Sequence, residues 1–249
     1  MTDALLSATN ITRRFRGLTA IDQVSLSLLQ GTVHAVIGTN GAGKSTLVSV
    51  LAGELAPNEG NIFLHSQEVT SWPQPRRARA GLGRSYQRTT IFPSLTVHEN
   101  CRLAAQANHQ AFWNWTAPAS KCRISNEAAE HAISLAGLES DSRQVAGLLS
   151  HGRKRQLEIA MSLATRPSVL LLDEPLAGMG SEETDRMLEL LASLKADHAI
   201  LLVEHDMDAV FKVADEITVM VNGRVIAQGE PQAIRDNPQV QTAYLGDGE

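Results

Sequence analysis

The apolar positions change rhythm twice along this chain. Residues 5–15 (LLSATNITRRF) and 21–31 (IDQVSLSLLQG) alternate apolar with polar, the period-two pattern of half-exposed antiparallel strands. Residues 31–38 (GTVHAVIG) are more continuously apolar and predict a buried strand ending in glycine. Residues 44–53 (KSTLVSVLAG) predict a helix closed by Gly53. After the turn PNEG, residues 61–69 (NIFLHSQEV) predict one more strand. From about Leu95 to Leu149 the period becomes helical, with a proline-bearing break at 116–120 (TAPAS). This predicts a helical insertion with its own small core, in which Trp113 and Trp115 supply packing or an exposed contact face.

The last third alternates again. Residues 168–175 (SVLLLDEP) and 199–205 (AILLVEH) predict buried strands. Between them, 181–196 (SEETDRMLELLASLKA) predict an amphipathic helix starting at a Ser cap with an acidic first turn. DAVFKVA predicts a helix, 216–229 (EITVMVNGRVIAQG) a hairpin turning at Asn-Gly, and 231–246 a helical tail. Buried strands alternating with helices imply an α/β fold around a mostly parallel sheet.

Composition narrows the class. The 249 residues are 43% hydrophobic, enough for one large core or two small ones. A formal charge of -5 gives no sign of nucleic-acid binding, and none is expected. Basic residues cluster at 13–16 (RRFR), 75–84 (PRRARAGLGR) and 152–156 (GRKRQ), and such clusters read by themselves as solvated faces. Two cysteines, Cys101 and Cys122, are too few for a disulfide scaffold and fit a reducing compartment. The start MTDALLSATN has no basic stretch leading into a long apolar one, so no signal peptide is expected. The apolar runs fall far short of the ~20 residues of a membrane span. The expectation is a cytosolic chain whose membrane role, if any, comes through partners.

The candidate chemistry starts at 38–46 (GTNGAGKST), a full G-x-x-x-x-G-K-[ST] motif between a predicted buried strand and a predicted helix. Gly38, Thr39, Asn40, Gly41, Ala42 and Gly43 can turn backbone N–H groups around a phosphate chain, and the helix start at Lys44, Ser45 and Thr46 adds a positive dipole. Lys44 can reach β- and γ-phosphates, and the Ser45 hydroxyl can ligate Mg²⁺. Asp173 emerges at the carboxyl end of VLLLD, where open α/β sheets bind ligands, and its carboxylate suits the same ion. Glu174 follows immediately and can polarise a water attacking the γ-phosphate, although alone it would read as a surface residue. Gln87 stands where strand-like sequence gives way to the helical insertion and could contact Mg²⁺ or water. His205 ends the strand AILLVEH at the same sheet edge as Asp173, where a γ-phosphate contact is open to it. Singly, Gln87 would be an ordinary loop residue and His205 a packing or surface one.

The ordered set 38–46, Gln87, LSHGRKRQLE, LLLDEP and His205 resembles the nucleotide-binding subunits of ABC transporters over nearly the whole chain. The resemblance implies a P-loop core at 1–85 and 166–249, with an antiparallel β subdomain and an inserted helical subdomain at 86–165. It implies that Phe15 stacks on adenine, that 38–46 form the Walker A loop and that Gln87 marks the Q-loop. Residues 149–153 correspond to the signature motif, Asp173 and Glu174 to the Walker B pair, and His205 to the switch histidine. Two such subunits sandwich two ATP molecules head-to-tail, so Ser150 and Gly152 would serve the partner's ATP. The expected cofactors are ATP and Mg²⁺. The expected partners are a second ABC ATPase (self or paralogue), membrane-spanning permease subunits and, indirectly, a solute-binding protein, with this chain peripheral on the cytoplasmic face. LTAIDQVSL, RSYQRTTIFPSLTVHEN, DEPLAGM, VEHDMDAV and NPQVQTAYLG resemble the branched-chain amino-acid importer class and its urea and short-amide relatives. Export, a translation or repair ATPase, and a degenerate nucleotide binder remain open beside it, although a single cassette with no sustained heptads disfavours the second.

Three positions depart from that family. His151 and Arg153 replace Gly and Gln in the usual Leu-Ser-Gly-Gly-Gln, and Gly180 stands where an Asp is common. Arg153 is a cation at a helix start, so its role is expected outside the helix, in an ion pair or facing phosphate.

Overall fold

The computed structural model describes residues 4–86, 90–109 and 122–245. The alternating N-terminal segments become β1 (Ala4–Phe15) and β2 (Leu18–Leu29), paired antiparallel. They form a four-stranded sheet in the order β2-β1-β4-β5 with β4 (Glu59–Leu64) and β5 (Gln67–Glu68). The single strand expected at 61–69 is therefore a hairpin. Phe63 pairs with Glu68 and Leu64 with Gln67, and the intervening His65 and Ser66 both take positive φ, 49° and 63°. That two-residue geometry normally calls for Gly or Asn, and neither residue announces it.

The continuous apolar runs become the second sheet. β3 (Val33–Gly38), β7 (Val169–Asp173) and β8 (Ala199–Val203) are buried at every position. With β6 (Leu82–Arg84), β9 (Glu216–Val221) and β10 (Arg224–Gly229) they run in the order β10-β9-β3-β8-β7-β6. All neighbours are parallel except β9–β10, whose turn uses Asn222 at φ 48° and Gly223 at φ 80°. The α/β class with a mostly parallel core sheet and a separate antiparallel sheet thus holds.

One sheet face and the antiparallel sheet enclose α1 (Lys44–Ala52), with Leu6, Ile21, Leu47, Leu51 and Leu171 in a single apolar cluster. The opposite face carries α3 (Val97–His109), α4 (Arg123–Leu135), α5 (His151–Leu163) and α6 (Ser181–Leu194). Here Val97, Cys101, Ala129 and Ile133 share one cluster with Leu157, Leu170, Leu191 and Leu202. The inserted helices do not have a core of their own: α3 and α4 pack on α5, α5 packs on β6, and their apolar residues join the cluster on this sheet face. Trp113 and Trp115 lie outside the described residues. The cap of α6 is also shifted by one residue. Gly180 is the N-cap, extended at φ −76°, and its carbonyl accepts the Thr184 N–H at 2.9 Å. Ser181 is already helical, while the acidic first turn is present as Glu182 and Glu183.

The basic cluster at 75–84 is a solvated face only in part: Arg76 and Arg79 are exposed, Arg77 is not. It holds α2 (Gln74–Arg79) and β6, and Arg77 on α2 is 1% exposed.

Candidate functional site

β3 ends at Gly38 and α1 begins at Lys44, so the loop between them opens at the carboxyl edge of the parallel sheet, as expected. Gly43 takes φ 97°, and a Cβ there would collide with the Ala20 carbonyl oxygen of β2, so the loop closes on the strand only with glycine. The Asn222-Gly223 turn braces it from the other side: Gly223 N–H donates to Ala42 O at 3.1 Å, and Asp22 N–H donates to Gly223 O at 2.8 Å. A cleft of about 510 Å³ lies over this loop, lined by Asn40 to Thr46, Phe15, Glu174 and the Asn222-Gly223 turn. Phe15 is 39% exposed at its rim, with the Arg13 guanidinium 4.7 Å from its ring centroid. An exposed aromatic at the mouth of a phosphate-sized loop offers a flat apolar surface for a base.

Lys44 is buried, and its ammonium donates to Gly38 O at 2.7 Å and Thr39 O at 3.0 Å. Burial lowers its pKa, while Glu174 and Asp173 raise it back. The amine therefore sits within electrostatic reach of both carboxylates.

Asp173 closes β7 and is 2% exposed. Burial raises its pKa, offset by Arg84, by a hydrogen bond from Ser45 and by Lys44. One carboxylate oxygen, Oδ1, is buried with no hydrogen-bond partner. An orphaned anionic oxygen beside a Ser hydroxyl is a donor set suited to a hard divalent cation. Among the described residues no group of three or more His, Cys, Asp and Glu could hold a metal, so Ser45 and Asp173 would fill only part of the shell.

Glu174 follows in the left-handed region at φ 51°, and its N–H donates to Val203 O of β8 at 2.9 Å. His205 is 61% exposed at its side chain, just past β8. Between them lies a carboxylate that sequence reasoning passed over. Glu204 is fully buried, its pKa is pushed up to about 7 by burial, and its oxygens accept Leu176 N–H at 2.8 Å and His205 N–H at 3.3 Å. Only its place between a catalytic-looking His and a buried strand signalled it.

Ser150 and Gly152 do not line the loop cleft. They sit at the start of α5, where Ser150 is the N-cap and accepts the Arg153 N–H at 3.3 Å. His151 has no positive φ, so a non-glycine residue is accommodated there, and its Nε2 lies 3.0 Å from Ala177 O. Arg153 turns away from the helix start, donating to Gly137 O at 2.8 Å with Nε 3.6 Å from Asp141. Of the two roles expected for it, the structure shows the ion pair. At Gly180 a Cβ would meet nothing within 4 Å, so no steric demand explains glycine there. Arg153→Gln should cost about 0.5–1.5 kcal/mol, the worth of one hydrogen bond plus a half-exposed pair. An unchanged urea midpoint would contradict this.

Gln87 lies outside the described residues. Its described flanks are tied to α5 by a buried ion pair: Arg155 donates to Tyr86 O at 2.9 Å and to Glu158 at 2.9 Å, and Glu158 accepts Thr90 N–H at 2.7 Å.

Residues 21–177, which hold the loop, the Asp173–Glu174 edge and the start of α5, match the sequence model of ABC transporters. The chain belongs to the ABC transporter ATP-binding family. As a member it is an ATPase subunit that binds nucleotide. The last stretch of this ABC ATPase, 224–249, matches a second model, the branched-chain amino acid ATP-binding cassette transporter. It is 38% identical over 255 residues to the high-affinity branched-chain amino acid transport ATP-binding protein BraF of Pseudomonas aeruginosa, covering 99% of this chain and 100% of that protein. It is 38% identical over 254 residues to the LivG protein of Escherichia coli, which carries the same description, with 99% and 100% coverage. An ATP-binding cassette of an ABC transporter solved in its ADP conformation superposes on the ABC ATPase with TM-score 0.88 at 29% identity, covering 98% of this chain and 100% of that one.

Proposed function

We propose that this ABC ATPase hydrolyses ATP to power import of branched-chain amino acids. The observation that carries the solute class is the match of 224–249 to the branched-chain cassette model, supported by full-length similarity to BraF and LivG. Uptake of radiolabelled leucine by vesicles holding the assembled transporter tests it. Competition by isoleucine and valine is expected, and competition by urea instead would move the chain to the short-amide class.

The division of labour follows the geometry. Residues 38–46 hold the phosphates, Lys44 exchanges its loop carbonyls for β- and γ-phosphate oxygens, and Phe15 stacks on adenine. Ser45 and Asp173 fit Mg²⁺, which would neutralise phosphate charge when bound; Gln87 is proposed as a further contact. Glu174 accepts the proton of the attacking water, and His205 contacts the γ-phosphate. Ser150 and Gly152 belong to the ATP of a second subunit, a copy or a paralogue, in a head-to-tail pair. Their exclusion from this chain's own loop cleft supports that reading. Among the described residues no helix is long and apolar enough to cross a membrane, so attachment to the cytoplasmic face would run through permease subunits. In this proposal the chain divides into a core (1–85 and 166–249) and a helical subdomain (86–165).

The half-site on α5 already holds an anion of its own. The Ser150 hydroxyl donates to Glu183 Oε1 at 3.2 Å, and Glu183 Cδ lies 2.6 Å from where a Cβ on Gly152 would stand. A hydroxyl has one proton, so Ser150 must release Glu183 before donating to a phosphate. Glu183→Ala should therefore lower the ATP concentration for half-maximal subunit pairing about two- to fivefold, the worth of one charge at a helix start. Light scattering against ATP, in a background that does not hydrolyse it, measures this. A higher requirement would contradict it.

A further inference from the structure

Glu204 serves no step of the mechanism above, yet it is buried and both its oxygens are held by backbone N–H groups. It is 0% exposed, and among the described residues no lysine or arginine pairs with it. The ring of His205, with Nδ1 at 3.8 Å, is exposed. The charge of Glu174 further disfavours its ionised form. An apolar residue would fill this place at the end of β8 with less penalty, since a buried carboxylate must be compensated by the donors around it.

Those donors are informative. Oε1 takes the N–H of Leu176, two residues past Glu174, and Oε2 takes the N–H of His205. The Glu174 N–H is tied to Val203 O, one residue before Glu204. The turn Asp173–Glu174–Pro175–Leu176 is thus fastened on both sides of Glu174 to the end of β8. Glu174 needs such fastening, because its φ of 51° is disfavoured for any residue with a Cβ and persists only where the surroundings enforce it. The same carboxylate grips the first residue of the His205 loop. A single rigid group therefore sets the spacing between the two segments that carry Glu174 and His205.

We propose that Glu204 is a positioning residue for ATP hydrolysis, bridging the Glu174 turn to the His205 loop through two backbone N–H groups. The proposal rests on the reading of Glu174 as the general base. Its removal should lower turnover without loosening ATP, because none of its bonds reaches the loop at 38–46.

The test compares Glu204→Gln, Glu204→Ala and Glu174→Gln in the assembled transporter, measuring kcat, KM for ATP and equilibrium binding of a fluorescent ATP analogue. Glu204→Ala loses both acceptors and should lower kcat at least tenfold, with KM and analogue affinity within threefold of wild type. Glu204→Gln keeps an amide oxygen for Leu176 but sets an NH₂ against the His205 N–H, so its kcat should lie between the two. Should Glu204→Ala fail to assemble, the near-isosteric Gln variant alone still decides, with a threefold or greater fall in kcat expected. Wild-type kcat in both variants would overturn the proposal, as would a fall in kcat matched by equal loss of analogue binding. If Glu174→Gln retains turnover, the general-base reading fails first. If Glu174→Gln is dead while both Glu204 variants turn over normally, only the bridging role fails.

Discussion

Glu174→Gln is expected to lower ATP turnover by about 10²–10⁴-fold while leaving ATP bound, the range a positioned general base supplies. Glutamine keeps the size of the side chain and the backbone bond from residue 174 to Val203 O, so the left-handed turn should survive. Among the described residues lining the loop cleft, it removes the one carboxylate that can accept a proton from water. Binding should not suffer, because the charge of Glu174 works against an anionic ligand. Burial raises the pKa of Asp173 and of Glu204, and the charge of Glu174 adds to both in the same direction. Deleting it should leave ATP affinity equal or slightly improved, and should accumulate the ATP-bound paired state. Single-turnover hydrolysis together with equilibrium nucleotide binding in the assembled transporter checks both halves. Turnover within threefold of wild type would remove Glu174 from the mechanism.

What could be read in advance depended on how local the cause was. The loop at 38–46 and the Asp173–Glu174 edge are contiguous residues flanked by their own strands, so motif and periodicity suffice to place them. The Asn222-Gly223 turn was legible for the same reason, though not its second use in bracing Ala42. The His65-Ser66 hairpin was hidden because its positive φ values are imposed by strand pairing on residues that do not prefer them. The Glu183–Ser150 contact joins residues 33 apart, and nothing near either residue signals the other. The helical insertion looked self-contained because its apolar residues repeat with helical period, but period does not say which surface they meet. Arg77 was the largest miss. A run of arginines resembles a solvated face unless the surrounding chain folds over one of them.

That burial leads to the largest expected loss of stability, in Arg77→Leu. The Arg77 guanidinium donates to Val50 O at 2.9 Å and Leu51 O at 2.7 Å, the closing carbonyls of α1. It also donates to Thr70 O at 2.9 Å and Trp72 O at 3.1 Å, and among the described residues no carboxylate pairs with it. The planar fork thus acts as a C-terminal cap, satisfying carbonyls a helix end leaves open and placing positive charge at the negative end of the dipole. Burial lowers its pKa to about 10, which leaves it charged at neutral pH. Leucine approximates the stem but strands the Leu51, Thr70 and Trp72 carbonyls, while Val50 O keeps the Gly53 N–H at 3.2 Å. At about 1–3 kcal/mol for each acceptor left dry, and less for those water can reach, the net cost should be about 3–4 kcal/mol. Lysine keeps the charge but not the fork, so Arg77→Lys should recover only part of this. Urea unfolding of the isolated chain measures both, and a Leu variant within 1 kcal/mol of wild type would exclude the capping role. Because α1 begins at Lys44, a loosened C-terminal end should also weaken nucleotide affinity, whereas Glu174→Gln should not. The two substitutions therefore separate the integrity of α1 and its loop from the chemistry proposed for Glu174.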